Sequence, residues 1–349
     1  MYQPISNILQ ANEHLTLILN NGFEERAARG AQVVSTLGLR PRQVVLLKYQ
    51  GKEHNRNHAV VSQIGRSIVG TPSRYHEIEA RDLTALDAIL GTLDPDTDRV
   101  VCDITGLSRY LMLRILSQTH NKRLKLSLIY TEAKEYYPRK TDFLPLLKLR
   151  DVSEAFEKLT EYEEAHIVYS SNCDVEEIPE LPGRIFPNHP VILFAFLAFK
   201  RSRLSCILNQ FETNARILIE SVPVRQDLKW RQKAIEIINF DLIEENKNNL
   251  VQLTTFDWKK TSDLLAEMYY KDDIGFRYNV LLGPLGSKMQ TVGAWHFAIQ
   301  HPDIKVITST PLQHFPGKYS IGYADTHLVP MDSIYALRQE GLIVEQAII

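Results

Sequence analysis

The feature of this sequence that most restricts its fold is an α/β unit that occurs twice. Three pairs of segments match between the two halves: 15–26 with 191–202, 100–109 with 280–289, and 136–138 with 314–316. Matching positions are separated by a nearly constant number of residues, and short loop insertions would explain the small drift. The sequence therefore predicts an internal duplication. Each copy ends a strand on a Gly-containing turn into a helix, which is where α/β folds bind anions.

Short aliphatic segments alternate with stretches of helical periodicity along the chain. The predicted strands are 15–19, 44–47, 75–78, 99–104 and 124–130, then 191–197, 215–219, 251–254, 278–282 and 305–307. Between them, apolar residues recur at helical spacing, as at Ala27, Ala31 and Val34. Strands that are nearly continuous apolar runs indicate parallel sheets covered on both faces. We therefore predict an α/β protein with two tandem Rossmann-like lobes and mainly parallel sheets, related by internal duplication.

The predicted domain organisation has three parts. Residues 1–150 form an N-terminal Rossmann-like lobe, 151–190 a connector, and 191–349 a C-terminal Rossmann-like lobe. The connector is predicted because 151–190 is rich in Glu and Pro and fits neither periodicity. After Pro316 the chain is expected to add an edge strand and a last helix at 333–339.

Composition excludes several classes of protein. The 349 residues are 44% hydrophobic and 23% charged, which is typical of a globular protein. The formal net charge of −2 does not favour binding of long nucleic acid. Cys102, Cys173 and Cys206 are widely spaced, which argues against a disulfide framework. No apolar run approaches the roughly 20 residues of a membrane span, and the N-terminus lacks a leader, so we expect a cytoplasmic protein without membrane contact.

The turn after the fourth strand of the first half is the main candidate binding site. The strand ends at Asp103, and Thr105 and Gly106 form a tight turn into a helix. Ser108 and the first amide groups of that helix would bind an anion, and Arg109 would add a bidentate donor. The alternative is that glycine serves only the turn and the hydroxyl only caps the helix.

The second half offers a matching turn. Gly283 ends the strand, Gly286 and Ser287 lead into the next helix, and Lys288 stands close to the position of Arg109. Two equivalent turns with a cation at nearly the same place favour ligand binding over a purely structural role.

These turns resemble a known family. The Asp-x-Thr-Gly segment at 103–106 followed by Ser108 and Arg109 is similar to the fourth-strand motif of CARF domains, and 286–288 is similar to its Gly-Thr-Lys version. CARF domains are Rossmann-like sensors of cyclic oligonucleotides in antiviral defence, and the related SAVED domains fuse two such units. The resemblance implies one ligand lying across both lobes, bound by 105–109 and 286–288. Leu107 and Gly283 depart from the family pattern.

The first strand-to-helix turn is a second candidate. Asn21 and Gly22 would join the ligand-binding residues, because their turn shares the sheet edge with the Asp103 turn. Glu24 or Glu25 could act as a general base and Arg26 as a phosphate clamp. Alternatively, the acids suit a helix N-terminus and pair with the arginine. The second half has Lys200, Arg201 and Arg203 there and lacks the carboxylates.

Other side chains give weaker signals. His54 and His58 have metal-ligand spacing, but no third ligand follows and 55–57 is interpreted as a polar loop, so no metal and no cofactor are expected. Tyr319 and the pair at 136–137 could stack on a base. No motif of an acyl hydrolase, P-loop ATPase or zincin is present.

The leading hypothesis is a sensor or regulatory subunit in defence against phage. It would bind a small phosphorylated nucleotide or cyclic oligonucleotide and act through a separate effector protein, since no effector segment is recognisable. Two alternatives stay open: a nucleotide or phosphodiester hydrolase that uses Glu24 or Glu25, and a scaffold that docks an effector partner.

Overall fold

The computed structural model describes residues 14–159, 173–312 and 319–331. The chain divides into two compact units: residues 1–137 together with 316–349 form the first unit, and residues 138–315 form the second. The sequence predicts lobe boundaries at residues 150 and 190, with a connector between them. The predicted helix at 333–339 and the matching segment 314–316 lie outside the described residues.

The first unit is built on a six-stranded sheet of order β14-β5-β4-β1-β2-β3. Every neighbouring pair is parallel except β14 with β5. All six residues of β4 are buried, as in a strand covered on both faces, although only the three at its centre are apolar. The strands are β1 (His14–Asn20), β2 (Gln43–Lys48), β3 (Tyr75–Glu79), β4 (Asp98–Asp103), β5 (Lys125–Thr131) and β14 (Thr326–Pro330).

The helices of the first unit are α1 (Arg29–Thr36), α2 (Asn55–Val69), α3 (Leu83–Leu90) and α4 (Arg109–Asn121). Ala31 and Val34 of α1 are buried in the core, as their spacing predicted. At Gly30 a Cβ would lie 2.0 Å from Oδ2 of Asp103, so only glycine lets α1 pass beside the end of β4. Residues 55–57, expected as a polar loop, instead begin α2. A short antiparallel pair joins β6 (Glu135–Tyr136) to β13 (Ser320–Ile321).

The second unit has a six-stranded sheet of order β10-β9-β8-β11-β12-β7. Its strands are β7 (Cys173–Glu177), β8 (Val191–Phe196), β9 (Ala215–Val222), β10 (Leu250–Thr254), β11 (Asn279–Gly283) and β12 (Lys305–Pro311). Its described helices are α5 (Lys140–Leu147), α6 (Val152–Glu157), α7 (Arg201–Gln210), α8 (Trp230–Ile238), α9 (Phe240–Glu245), α10 (Trp258–Tyr270), α11 (Ile274–Arg277) and α12 (Lys288–Gln300).

When only the five parallel strands of each unit are counted along the chain, both sheets have the order third, second, first, fourth, fifth, and an antiparallel sixth strand lies at the edge beside the fifth. The protein therefore has two Rossmann-like lobes, as predicted. The sixth strand has different origins. In the first unit it is β14, which lies in the expected C-terminal lobe, and in the second it is β7, which lies in the expected connector. A common ancestry of the two units stays a prediction.

This order determines where a ligand can bind. In a doubly wound sheet the chain turns to opposite faces after the two central strands, and a crevice opens at their carboxyl ends. The central strands are β1 and β4 in the first unit, and β8 and β11 in the second.

Candidate functional site

The loops that follow β1 and β4 contact each other backbone to backbone. Asn20 Nδ2 donates to the carbonyl of Asp103 at 2.8 Å, and the Gly22 amide donates to Asn20 Oδ1 at 3.1 Å. A Cβ on Gly22 would lie 2.8 Å from the Cα of Gly106, and a Cβ on Gly106 would lie 2.1 Å from Asn20 Oδ1. Two glycines that the sequence singled out therefore meet at the switch point of the sheet, and the close approach excludes any side chain at either position.

The N-terminus of α4 lies directly after this contact. Ser108 is the N-cap, and its Oγ accepts from the Leu111 amide at 3.2 Å. The Ser108 amide donates to the Tyr49 hydroxyl at 2.8 Å. Burial raises the pKa of Tyr49 to about 12, so the phenol stays protonated at neutral pH. Ser108 thus has a cap function, while Arg109, the first residue of α4, is half-buried at the mouth of the turn.

Two other predicted ligand residues are enclosed by protein. Thr105 and Asp103 are 0% and 1% exposed. The Thr105 amide donates to Asp103 Oδ1 at 2.9 Å, and Thr105 Oγ1 accepts from the Thr131 amide at 3.0 Å. Their side chains therefore hold the turn against β5.

The first turn is fixed by three polar side chains, of which sequence reasoning identified one as a site residue. The Asn21 amide group pairs with the backbone of Tyr49, at 2.6 and 3.1 Å. His54 Nδ1 lies 3.0 Å from the Asn21 carbonyl, which requires a proton on Nδ1. Asn57 Nδ2 donates to the carbonyls of Gly22 and of Glu24. Helix α2 therefore positions the Asn21–Gly22 turn, a role that no local pattern around His54 and Asn57 indicates.

The carboxylate and guanidinium of the first turn form an ion pair. Glu24 accepts from Arg26 Nε at 3.1 Å and from Arg26 Nη2 at 3.2 Å, and it also accepts from the Ser320 hydroxyl. Arg26 Nη1 donates to the Thr131 carbonyl at 2.9 Å. Burial lowers the pKa of Arg26, but Glu24, Tyr136 and Tyr130 together outweigh that effect and the net shift is upward. This arrangement matches the structural alternative for Glu24 and Arg26, whereas Glu25 is exposed to solvent.

The aromatic residues expected to stack on a base have protein contacts. The Arg26 guanidinium lies 5.4 Å from the ring centroid of Tyr136. Tyr319 packs edge-on against Phe23, with centroids 4.8 Å apart. These contacts place an aromatic layer beside the Glu24–Arg26 pair.

The matching turn of the second unit is closed by its own hydrogen bonds. Ser287 is the N-cap of α12: its Oγ accepts from the Gln290 amide at 3.1 Å and donates to the Thr255 carbonyl. The Ser287 amide donates to Gln290 Oε1 at 2.8 Å, and Ser221 Oγ donates to the same oxygen at 3.0 Å. Gly283 and Gly286 are buried, and Lys288 is half-buried at the start of α12.

The first turn of the second unit is filled by aromatic side chains. Phe199 packs edge-on against Phe143 at 5.6 Å and against Trp230 at 6.1 Å, and the Arg231 guanidinium lies 4.1 Å from the Phe199 centroid. Arg201, predicted as part of a cationic cluster, forms an ion pair with Asp241. This edge therefore differs in character from the polar edge of the first unit.

Comparison with known proteins finds a likeness at the level of structure and none at the level of sequence. The chain matches no family model and no curated protein. A solved structure of a type III CRISPR defence DNA nuclease activated by cyclic oligoadenylate is similar, with a TM-score of 0.48 and 10% identity. The match covers 82% of this chain and 64% of that one, so the chain spans less than two thirds of the nuclease. A likeness this distant says nothing about ligand or activity.

Within the part of the chain that the structure describes, no helix combines the length and the apolar character needed to cross a membrane.

Proposed function

We propose that the protein is a nucleotide-binding sensor or regulatory subunit of antiviral defence, and that its first unit binds a small phosphorylated nucleotide at the carboxyl ends of β1 and β4. The observation that carries the proposal is the backbone contact between Gly22 and Gly106 at the switch point of the sheet. It brings the β1 turn next to the N-terminus of α4, where the first amides of the helix have no intrahelical acceptor and the helix dipole favours an anion.

Arg109 is the cation of this site. It is the first residue of α4 and is half-buried, so its guanidinium can reach a phosphate that lies against the helix N-terminus. The class of ligand follows from the CARF-like motif at 103–109, which supports a cyclic oligonucleotide.

Binding without turnover is favoured over hydrolysis. Glu24 already accepts hydrogen bonds from Arg26 and Ser320, so the nearest carboxylate serves the fold. A sensor of this kind passes its signal to a separate effector protein.

The test is a binding panel of linear nucleotides and cyclic oligonucleotides of several ring sizes, measured by thermal shift and calorimetry. We expect one class to raise the melting temperature and to bind more weakly at high salt. Arg109→Ala should weaken binding by about 10- to 100-fold, since a hydrogen bond to a charged group contributes about 1.5–3 kcal/mol.

Arg40→Ala is the matched control, because Arg40 is an exposed arginine of the same unit, outside the two turns, and should leave affinity unchanged. Failure of every nucleotide to bind, or equal affinity in Arg109→Ala, would refute the proposal. Mass spectrometry of incubated ligand should recover it intact, and product formation lost in Glu25→Gln would establish the hydrolase instead. Copurification of a partner without nucleotide binding would establish the scaffold.

A further inference from the structure

Three metal-ligating side chains meet at the end of β5, beside the antiparallel edge strand. Glu132 directly follows β5, His327 belongs to β14, and Asp325 directly precedes β14. One ligand atom from each lies within 4.8 Å of the other two. Asp325 and His327 are near neighbours in the sequence, but Glu132 is far from both, so no motif spacing could have indicated the set.

The backbone holds this group in register. The Glu132 amide donates to the Asp325 carbonyl at 3.0 Å, and the Ala324 amide donates to the Glu132 carbonyl at 2.8 Å. These bonds extend the β5–β14 ladder beyond its last pair, Thr131 with Thr326. The three ligands are therefore carried by a paired backbone and not by an isolated loop.

The distances suit a small divalent ion. Bonds of about 2.0–2.1 Å in a tetrahedral site place neighbouring ligand atoms about 3.3–3.4 Å apart. His327 Nε2 lies 3.5 Å from Glu132 Oε2, close to that separation, and both side chains are largely buried. The Asp325 carboxylate is exposed and can close the remaining distance by rotating.

We propose that Glu132, Asp325 and His327 form a binding site for a divalent transition metal of the zinc class, with an open coordination position. One imidazole nitrogen and two carboxylate oxygens are a ligand set that such ions accept, and three protein ligands leave room for water or another donor. The proposal does not depend on nucleotide binding. It departs from the expectation of no metal, which rested on sequence spacing alone.

A second His–Glu pair in the first unit lacks the features of the proposed metal site and serves as a comparison. His58 Nε2 lies 3.3 Å from Glu77 Oε2, but Glu77 also accepts from Arg66, Ser62 and Tyr75. A guanidinium and two hydroxyls already satisfy that carboxylate, and no third metal ligand joins the pair among the described residues. His58 therefore supplies the matched control.

The experiment is a titration of the chelator-treated full chain with Zn²⁺, by competition against a chromophoric chelator. We expect one equivalent to bind and to raise the melting temperature. Glu132→Gln, Asp325→Asn and His327→Gln should each weaken binding at least about tenfold, and His58→Ala should not. The Glu and Asp substitutions keep the side-chain shape, so they test the site even if the histidine variant misfolds.

Co²⁺ provides the second measurement. A nitrogen and oxygen site should give visible d–d bands without a thiolate charge-transfer band, which separates it from the cysteines of the second unit. Burial raises the pKa of Cys173 to about 11, so its thiol is protonated at neutral pH and is a poor competitor. No saturable binding, thiolate bands, or equal affinity in all three ligand variants would overturn the proposal.

Discussion

The two units share one strand order but differ at the carboxyl ends of their central strands. In the first unit, Gly22 and Gly106 touch and polar side chains surround them. In the second, Phe199 occupies the corresponding turn within an aromatic cluster, and Gln290 closes the other turn. Strand order determines where a site can form, and the side chains decide whether it does.

The largest expected effect comes from removing an aromatic side chain from the first turn of the second unit. Phe199 is 7% exposed and contacts Phe143 and Trp230, so Phe199→Ala should cost about 3–4 kcal/mol of unfolding free energy. Phe23, at the matching position of the first unit, is only half-buried. Phe23→Ala should cost about 1 kcal/mol.

The chain supplies its own probe for this comparison. All three tryptophans, Trp230, Trp258 and Trp295, lie in the second unit, so selectively excited tryptophan fluorescence follows the unfolding of that unit. Phe199→Ala should lower the urea midpoint measured by fluorescence. Phe23→Ala should mainly lower the urea midpoint measured by circular dichroism. Equal shifts of both signals by both variants would show that the units unfold together.

The central strands and three of the edge strands were predictable from sequence, whereas the edge strand β7 was not. Val191–Phe196 is a continuous apolar run, since a central parallel strand is buried on both faces. Cys173–Glu177 has no such run, because an edge strand is partly exposed and its pairing with β12 is a long-range contact. The expected connector therefore contains a strand that no local pattern indicates.

A smaller effect is expected from adding one methyl group to two glycines that are not equivalent in the two units: Gly106 in the turn after β4, and Gly283 at the end of β11. In the first unit a Cβ at Gly106 would lie 2.1 Å from Asn20 Oδ1, and Asn20 is held by two hydrogen bonds. Gly106→Ala should therefore cost about 1–3 kcal/mol. In the second unit a Cβ at Gly283 would lie 3.5 Å from the nearest atom, an ordinary contact. Gly283→Ala should change stability by less than about 1 kcal/mol, in the stabilising direction.

Calorimetric melting of both variants measures the difference. The result that would contradict the close approach is equal tolerance of alanine at the two positions. If Gly106→Ala melts early but keeps its nucleotide affinity, the contact serves the fold and the binding site lies elsewhere.

The candidate site shows the same limit of sequence reasoning. Gly106 and Arg109 were identifiable because they follow an apolar strand and open a helix. The hydrogen bond from the Ser108 amide to Tyr49 and the bond between Asn57 and Gly22 join residues distant in the chain. One sequence contains no signal for such pairs, since each partner alone resembles an ordinary polar or aromatic residue.

The smallest expected effect is on stability at acidic pH. The two units should lose stability in different pH ranges. His301 of the second unit packs against Tyr269 and Phe297, and burial lowers its pKa although Asp303 partly opposes the shift. The unfolded chain then binds the proton more readily than the folded one, so stability is complete above about pH 6.5 and falls as the pH drops through the folded pKa.

In the first unit a loss of stability in the same direction occurs at lower pH. Burial alone would raise the pKa of Glu77, but hydrogen bonds from Tyr75 and Arg66 lower it to about 2. The contribution of the ionised Glu77 carboxylate to stability is fully present above the ordinary carboxyl pKa. It is lost only between about pH 4.5 and 2. The unfolding free energy measured by tryptophan fluorescence should therefore decrease by less than about 1 kcal/mol between pH 7.5 and 5.5. This decrease should be smaller in the His301→Gln variant. Glu77→Gln is the control. It should leave the decrease measured by fluorescence between pH 7.5 and 5.5 unchanged. A decline that persists in His301→Gln would assign the acid sensitivity to another group.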